Sequence, residues 1–115
     1  MKTRIYHNPR CSKSRATLAL LEERGVDIDI VEYLKTPPSV AELRGLLVKL
    51  DRPARDIVRT GEPEFKAAGV PLDAGDDRLL ALIAKHPKLL QRPIVVVGNE
   101  ARIGRPPESV LDLIR

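Results

Sequence analysis

The pattern of residues 3–33 limits this chain to few folds. Thr3-Arg4-Ile5-Tyr6 predicts a short strand, and His7-Asn8-Pro9 breaks it. A helix is expected over 12–24, where Ala16, Leu18, Leu20 and Leu21 recur at helical spacing and Gly25 supplies a stop. Residues 27–33, DIDIVEY, are β-branched and partly alternating, and they predict a second strand. Strand, helix and strand in about 30 residues make a βαβ unit with parallel strands, because a parallel return needs a crossover.

The rest of the chain completes an α/β pattern. Thr36-Pro37-Pro38 breaks the second strand, and Ser39 with Glu42 forms a capping box. Val40, Leu43, Leu46, Leu47 and Leu50 then share one helical face. Residues 51–75 carry Pro53, Pro63 and Pro71 and predict short helices and loops. Asp76-Asp77 can cap a further helix through Leu79, Leu80, Leu82 and Ile83, which Pro87 ends. Residues 93–97, PIVVV, predict a buried strand, and Gly98-Asn99-Glu100 a turn into a hairpin with 101–104. Pro106-Pro107 opens a last helix, with Val110, Leu111 and Ile114 expected to face inward. The order is β-α-β, a helical insertion over about 37–90, then β-β-α. It predicts one α/β domain over 1–115, a mixed sheet flanked by helices in the thioredoxin-like arrangement.

Composition removes several classes of function. One cysteine cannot form an internal disulfide, so nothing points to secretion. One cysteine and two separated histidines do not suggest a structural zinc site. The start, MKTRIYHNPR, lacks the apolar stretch of a signal peptide, and no apolar run reaches membrane-spanning length. A cytoplasmic protein with no membrane partner is expected. Neither glycine-rich phosphate-binding loop is present. The net charge of +4 comes from cations interleaved with acids, and aromatics make up only 3%, so a small anion is a better partner than nucleic acid.

Cys11 is where the chemistry concentrates. A lone cysteine is usually a small buried hydrophobe. This one lies outside any apolar run, among His7, Asn8, Arg10, Ser12, Lys13, Ser14 and Arg15. It also falls where a helix begins, so amide donors and the positive dipole end favour thiolate over thiol. In an open α/β sheet, ligands sit beyond the carboxyl ends of parallel strands, where this junction lies. The segment is C-x-x-S, not C-x-x-C, and no arginine stands at the C-x5-R spacing of tyrosine phosphatases. A monothiol that performs net redox must borrow its second thiol from another molecule.

The segments IYHNPRCSKSR, YLKTPPSVAEL, IVRTGEPEF, DDRLL, HPKLLQRPIVV and IGRPPESVL occur in this order across nearly the whole chain. Together they resemble the glutaredoxin-coupled arsenate reductase family. The resemblance implies a thioredoxin-like core with a helical insertion and a nucleophile at Cys11. It implies three anion-binding arginines, Arg59, Arg92 and Arg105, with His7 and Ser14 matching polar residues around the nucleophile. Asn8 and Arg15 complete the expected surroundings of the cysteine. Guanidinium groups offset the repulsion between a thiolate and an oxyanion and bind oxygens bidentately. Pro93 and Pro106 restrict the arginines before them to extended geometry. Arg92-Pro93 is expected to be cis, as in thioredoxin-like proteins.

The implied reaction reduces arsenate to arsenite with glutathione as co-substrate and glutaredoxin as partner, with no bound cofactor or metal, by a monomer. Two other readings keep Cys11. One is a monothiol oxidoreductase acting on another oxyanion or a glutathionylated protein, which need not use all three arginines. The other is an Spx-like regulator that binds RNA polymerase, but Ser14 replaces the second cysteine of that switch.

Overall fold

Strand β1 (Thr3–His7) lies inside a four-stranded sheet of order β2-β1-β3-β4. The computed structural model describes residues 2–114. Two compact units divide the chain, one running to Thr36 and resuming at Arg92, the other spanning Pro37–Gln91. In the first unit, β1 pairs in parallel with β2 (Ile28–Glu32), in register Ile5 to Ile30 and His7 to Glu32. It pairs antiparallel with β3 (Ile94–Val97), and β3 pairs antiparallel with β4 (Glu100–Ile103). Val97 opposes Glu100, so Gly98-Asn99 is a two-residue hairpin loop, with Gly98 at φ 61°. This mixed sheet has the thioredoxin-like β-α-β and β-β-α connectivity.

Helix α1 (Ser12–Glu23) connects β1 to β2. Gly25, at φ 69°, ends it in the left-handed conformation that side chains resist. Its inward face differs from the apolar pattern. Ala16 is exposed, and the buried residues are Ser14, Thr17 and Leu21, with Leu18 partly buried. The face takes polar residues because their hydroxyls are bonded locally, Thr17 Oγ1 to the Lys13 carbonyl at 2.8 Å and Ser14 to the loop before the helix. Ile5, Leu21, Val95, Val110 and Leu113 form the core between helix, sheet and C-terminal segment. That last segment, Pro107–Leu113, is a 3-10 helix. The tighter winding turns Leu113 inward and leaves Leu111 half-buried, where α-helical spacing placed Leu111 inside.

The second unit is helical. Helix α2 (Val40–Leu50) starts at Ser39, whose hydroxyl accepts from the Glu42 amide at 3.1 Å, and buries Leu43, Leu46, Leu47 and Leu50. A short helix α3 (Pro63–Ala68) follows. Helix α4 (Asp76–Lys85) buries Leu79, Leu80, Leu82 and Ile83 and packs on α2. Gly75, not an aspartate, occupies its capping position. Asp76 and Asp77 stand in the first turn, where they complement the helix dipole. Their side chains serve other elements: Asp76 accepts from the Ala54 amide at 2.9 Å and Asp77 pairs with Arg44 at 2.7 Å.

One glycine fixes how β4 leaves the sheet. The Gly104 amide donates to the Pro93 carbonyl at 2.9 Å. A Cβ at Gly104 would lie 2.6 Å from Thr17 Oγ1 and 2.7 Å from Pro93 Cγ. Both neighbours are buried, so neither can simply swing away. Gly104→Ala is expected to destabilise the protein by about 1–3 kcal/mol, read as a lower urea midpoint with an unchanged slope. An unchanged midpoint would contradict this packing.

Candidate active site at Cys11

The loop before α1 is wound by Asn8. Its side-chain oxygen accepts from the Arg10 amide at 3.0 Å, and its carbonyl accepts from the Cys11 amide at 3.0 Å. This Asx turn delivers Cys11 to the N-cap position in extended conformation, φ −93° and ψ 122°. The Cys11 carbonyl takes the first helical hydrogen bond, from the Arg15 amide at 3.0 Å. The sulfur is thus left at the mouth of the helix and partly accessible.

Two arginines from the other end of the sequence meet it. Arg105 Nη2 lies 3.6 Å from Cys11 Sγ, across 94 positions of chain. The same guanidinium is anchored by its Nε, which donates to the Arg92 carbonyl at 2.8 Å. The Arg92 guanidinium also favours the anionic form of the sulfur. Arg92-Pro93 is cis, as expected, and so is Arg105-Pro106. Each arginine therefore precedes a cis proline, flanking the β3–β4 hairpin.

These contacts decide the ionisation of the thiol. Partial burial raises its pKa, but the Ser14 amide, the Arg92 guanidinium and the Lys13 amide together outweigh it, and the net shift is downward. The dominant favourable groups are the first-turn amides and a cation, the two means by which proteins hold thiolates.

His7 and Ser14 lie beneath the loop. His7 Nδ1 is 2.6 Å from Ser14 Oγ, and the Asn8 amide donates to the same oxygen at 3.1 Å. Burial lowers the His7 pKa, the facing Glu32 carboxylate raises it and Arg15 lowers it, for a net downward shift. Of the imidazole and the hydroxyl, the ring's tautomer sets which donates and which accepts. The chain thus ties the end of β1, the loop and α1 through one buried hydroxyl. Arg15 holds the loop from outside, donating to the Pro9 carbonyl at 2.9 Å.

Of the residues singled out from sequence, Cys11, His7, Asn8, Ser14, Arg15, Arg92, Pro93 and Arg105 come together in the first unit. Arg59 belongs to the second unit, where its guanidinium contacts Glu62 and Gln91. Gly104 was not singled out, because its close approach joins α1 and β4, distant in sequence. Among the described residues, no group of three or more His, Cys, Asp or Glu could hold a metal ion, and no helix is long and apolar enough to cross a membrane.

The lowered thiol pKa has a direct readout. Thiolate absorbance followed against pH is expected to give a midpoint below that of free cysteine, and Arg92→Gln is expected to move it upward. A midpoint at the ordinary cysteine value in the wild type would contradict the electrostatic account.

A family model described as the ArsC family matches residues 6–113. An arsenate reductase from Neisseria meningitidis serogroup A is 47% identical, over 93% of this chain and 93% of its own. An uncharacterized Escherichia coli K12 protein, YfgD, is 46% identical over 98% of this chain and 97% of its own. The solved structure of an arsenate reductase from Vibrio cholerae superposes with a TM-score of 0.93 at 48% identity, covering 98% of each chain. A match that spans nearly all of the chain, on a sheet and a cysteine loop of this form, makes the chain a member of the ArsC family.

Proposed function

We propose that this chain is an arsenate reductase whose nucleophile is Cys11. The observation that carries the reading is the Arg105 guanidinium 3.6 Å from the sulfur, anchored on the Arg92 carbonyl. A buried-edge cysteine needs no guanidinium neighbours, whereas a thiolate that must meet a multiply charged oxyanion needs them. The identity to relatives named arsenate reductase supports the substrate.

Arg92 and Arg105 bind arsenate oxygens, and Arg59 is the third arginine on the strength of its motif, IVRTGEP. His7, Asn8, Ser14 and Arg15 position the loop. The Cys11 thiolate attacks pentavalent arsenic, forming a sulfur–arsenic bond as one oxygen leaves as water. Glutathione then adds through its sulfur and expels a second water. The thiol of glutaredoxin attacks that glutathione sulfur. A mixed disulfide leaves, and the electron pair of the broken arsenic–sulfur bond stays on arsenic, which becomes trivalent. Hydrolysis of the Cys11–arsenic bond releases arsenite and restores the thiol. The two electrons come from the two borrowed thiols, as a chain with one cysteine requires.

The chain works in the cytoplasm as a monomer, with Pro37–Gln91 inserted into one catalytic domain and no resident cofactor. In a coupled assay with glutathione, glutaredoxin, glutathione reductase and NADPH, arsenate-dependent NADPH oxidation is expected in the wild type. Cys11→Ser is expected to fold normally and to lose turnover by at least about a thousandfold. Substantial arsenate reduction by that variant would sink the mechanism.

A further inference from the structure

The Arg59 guanidinium is held by two side chains. Its Nε lies 3.4 Å from Glu62 Oε1, and its Nη1 lies 3.2 Å from Gln91 Oε1. The backbone sets both partners. The Arg59 amide donates to the Leu89 carbonyl at 2.7 Å, and the Gln91 amide donates to the Ile57 carbonyl at 2.8 Å, around an antiparallel bridge of Val58 with Leu90. The Glu62 amide donates to the Arg59 carbonyl at 3.3 Å and closes a turn. The side chains of Arg59 and Glu62 are 26% and 19% exposed, so this pair is less screened than a surface pair.

This arrangement exceeds what folding requires of an arginine. A free arginine loses much rotamer freedom when a ligand orders it. Here that freedom is already restricted. A guanidinium has five N–H donors. Glu62 and Gln91 take one from Nε and one from Nη1, which leaves both Nη2 donors and the second Nη1 donor. That free edge has the fork geometry that binds two oxygens of one anion. The two holders also differ in charge. The acid lies at Nε, and the partner at Nη1 is a neutral amide.

We propose that Glu62 and Gln91 are positioning residues that act through Arg59, holding its guanidinium with the Nη edge free for the oxyanion. Gln91 is neutral because a carboxylate there competes with the oxyanion for the same N–H groups. The proposal rests on the reading of Arg59 as an oxyanion ligand.

Arsenate KM and kcat, measured in the coupled assay on variants shown to be folded by circular dichroism, test it. Glu62→Ala is expected to raise KM about tenfold with kcat changed less than about twofold. Glu62→Gln, whose amide oxygen still accepts from Nε, is expected to recover most of that loss. Gln91→Glu, of nearly the same shape, is expected to raise KM at least as much as Gln91→Ala. With Arg59→Ala already present, Glu62→Ala is expected to raise KM no further. A raised KM in Arg59→Ala beside unchanged values in Glu62→Ala and Gln91→Glu overturns the proposal and leaves Arg59 as a ligand. A Glu62→Ala effect that persists in full without Arg59 overturns it as well, showing a general structural role. An unchanged KM in Arg59→Ala, or no arsenate turnover in the wild type, overturns both the proposal and the reading beneath it.

Discussion

A sulfur at the first turn of a helix, stabilised as an anion by amides and guanidinium groups, is the interaction on which the rest of the first unit depends. The favourable contributions are separate. The helix supplies the Ser14 and Lys13 amides, and the chain after Gln91 supplies Arg92 and Arg105. Burial opposes them. The balance lowers the thiol pKa only while loop and hairpin hold their places, so the surrounding contacts are conditions for reactivity.

Those contacts form a short chain of cause. Asn8 turns the loop, Ser14 joins the loop to His7 and α1, and Gly104 brings the end of β4 against Thr17 and Pro93. Arg105 is then aimed by its bond to the Arg92 carbonyl. Polar groups fix the site because an oxyanion is recognised by directed N–H donors, not by buried area.

Much of this was legible in the sequence. The strands announced themselves through β-branched runs such as IVVV, and Cys11 through the cationic residues around it. Ser39 and Glu42 marked the start of α2 because a capping box is a local signal. What escaped was set by distant partners. The buried face of α1 was expected from Ala16, Leu18, Leu20 and Leu21, since nothing local shows that the hydroxyls of Ser14 and Thr17 are satisfied when buried. Gly104 was expected only as the end of the hairpin strand, because its crowding comes from α1 and Pro93. Asp76 read as a cap, yet it serves Ala54, 22 positions away. Gln91 carried no signal at all, since its partner Arg59 lies 32 positions earlier.

The central claim is that the Cys11 thiolate and its arginines form one oxyanion site. Protection of Cys11 from iodoacetamide by arsenate, measured by mass spectrometry in the absence of any other thiol, tests it most directly. The account predicts saturable protection that phosphate shares at higher concentration and that Arg92→Gln or Arg105→Gln weakens strongly. Alkylation at the same rate with and without saturating arsenate, in folded wild-type protein, would contradict it.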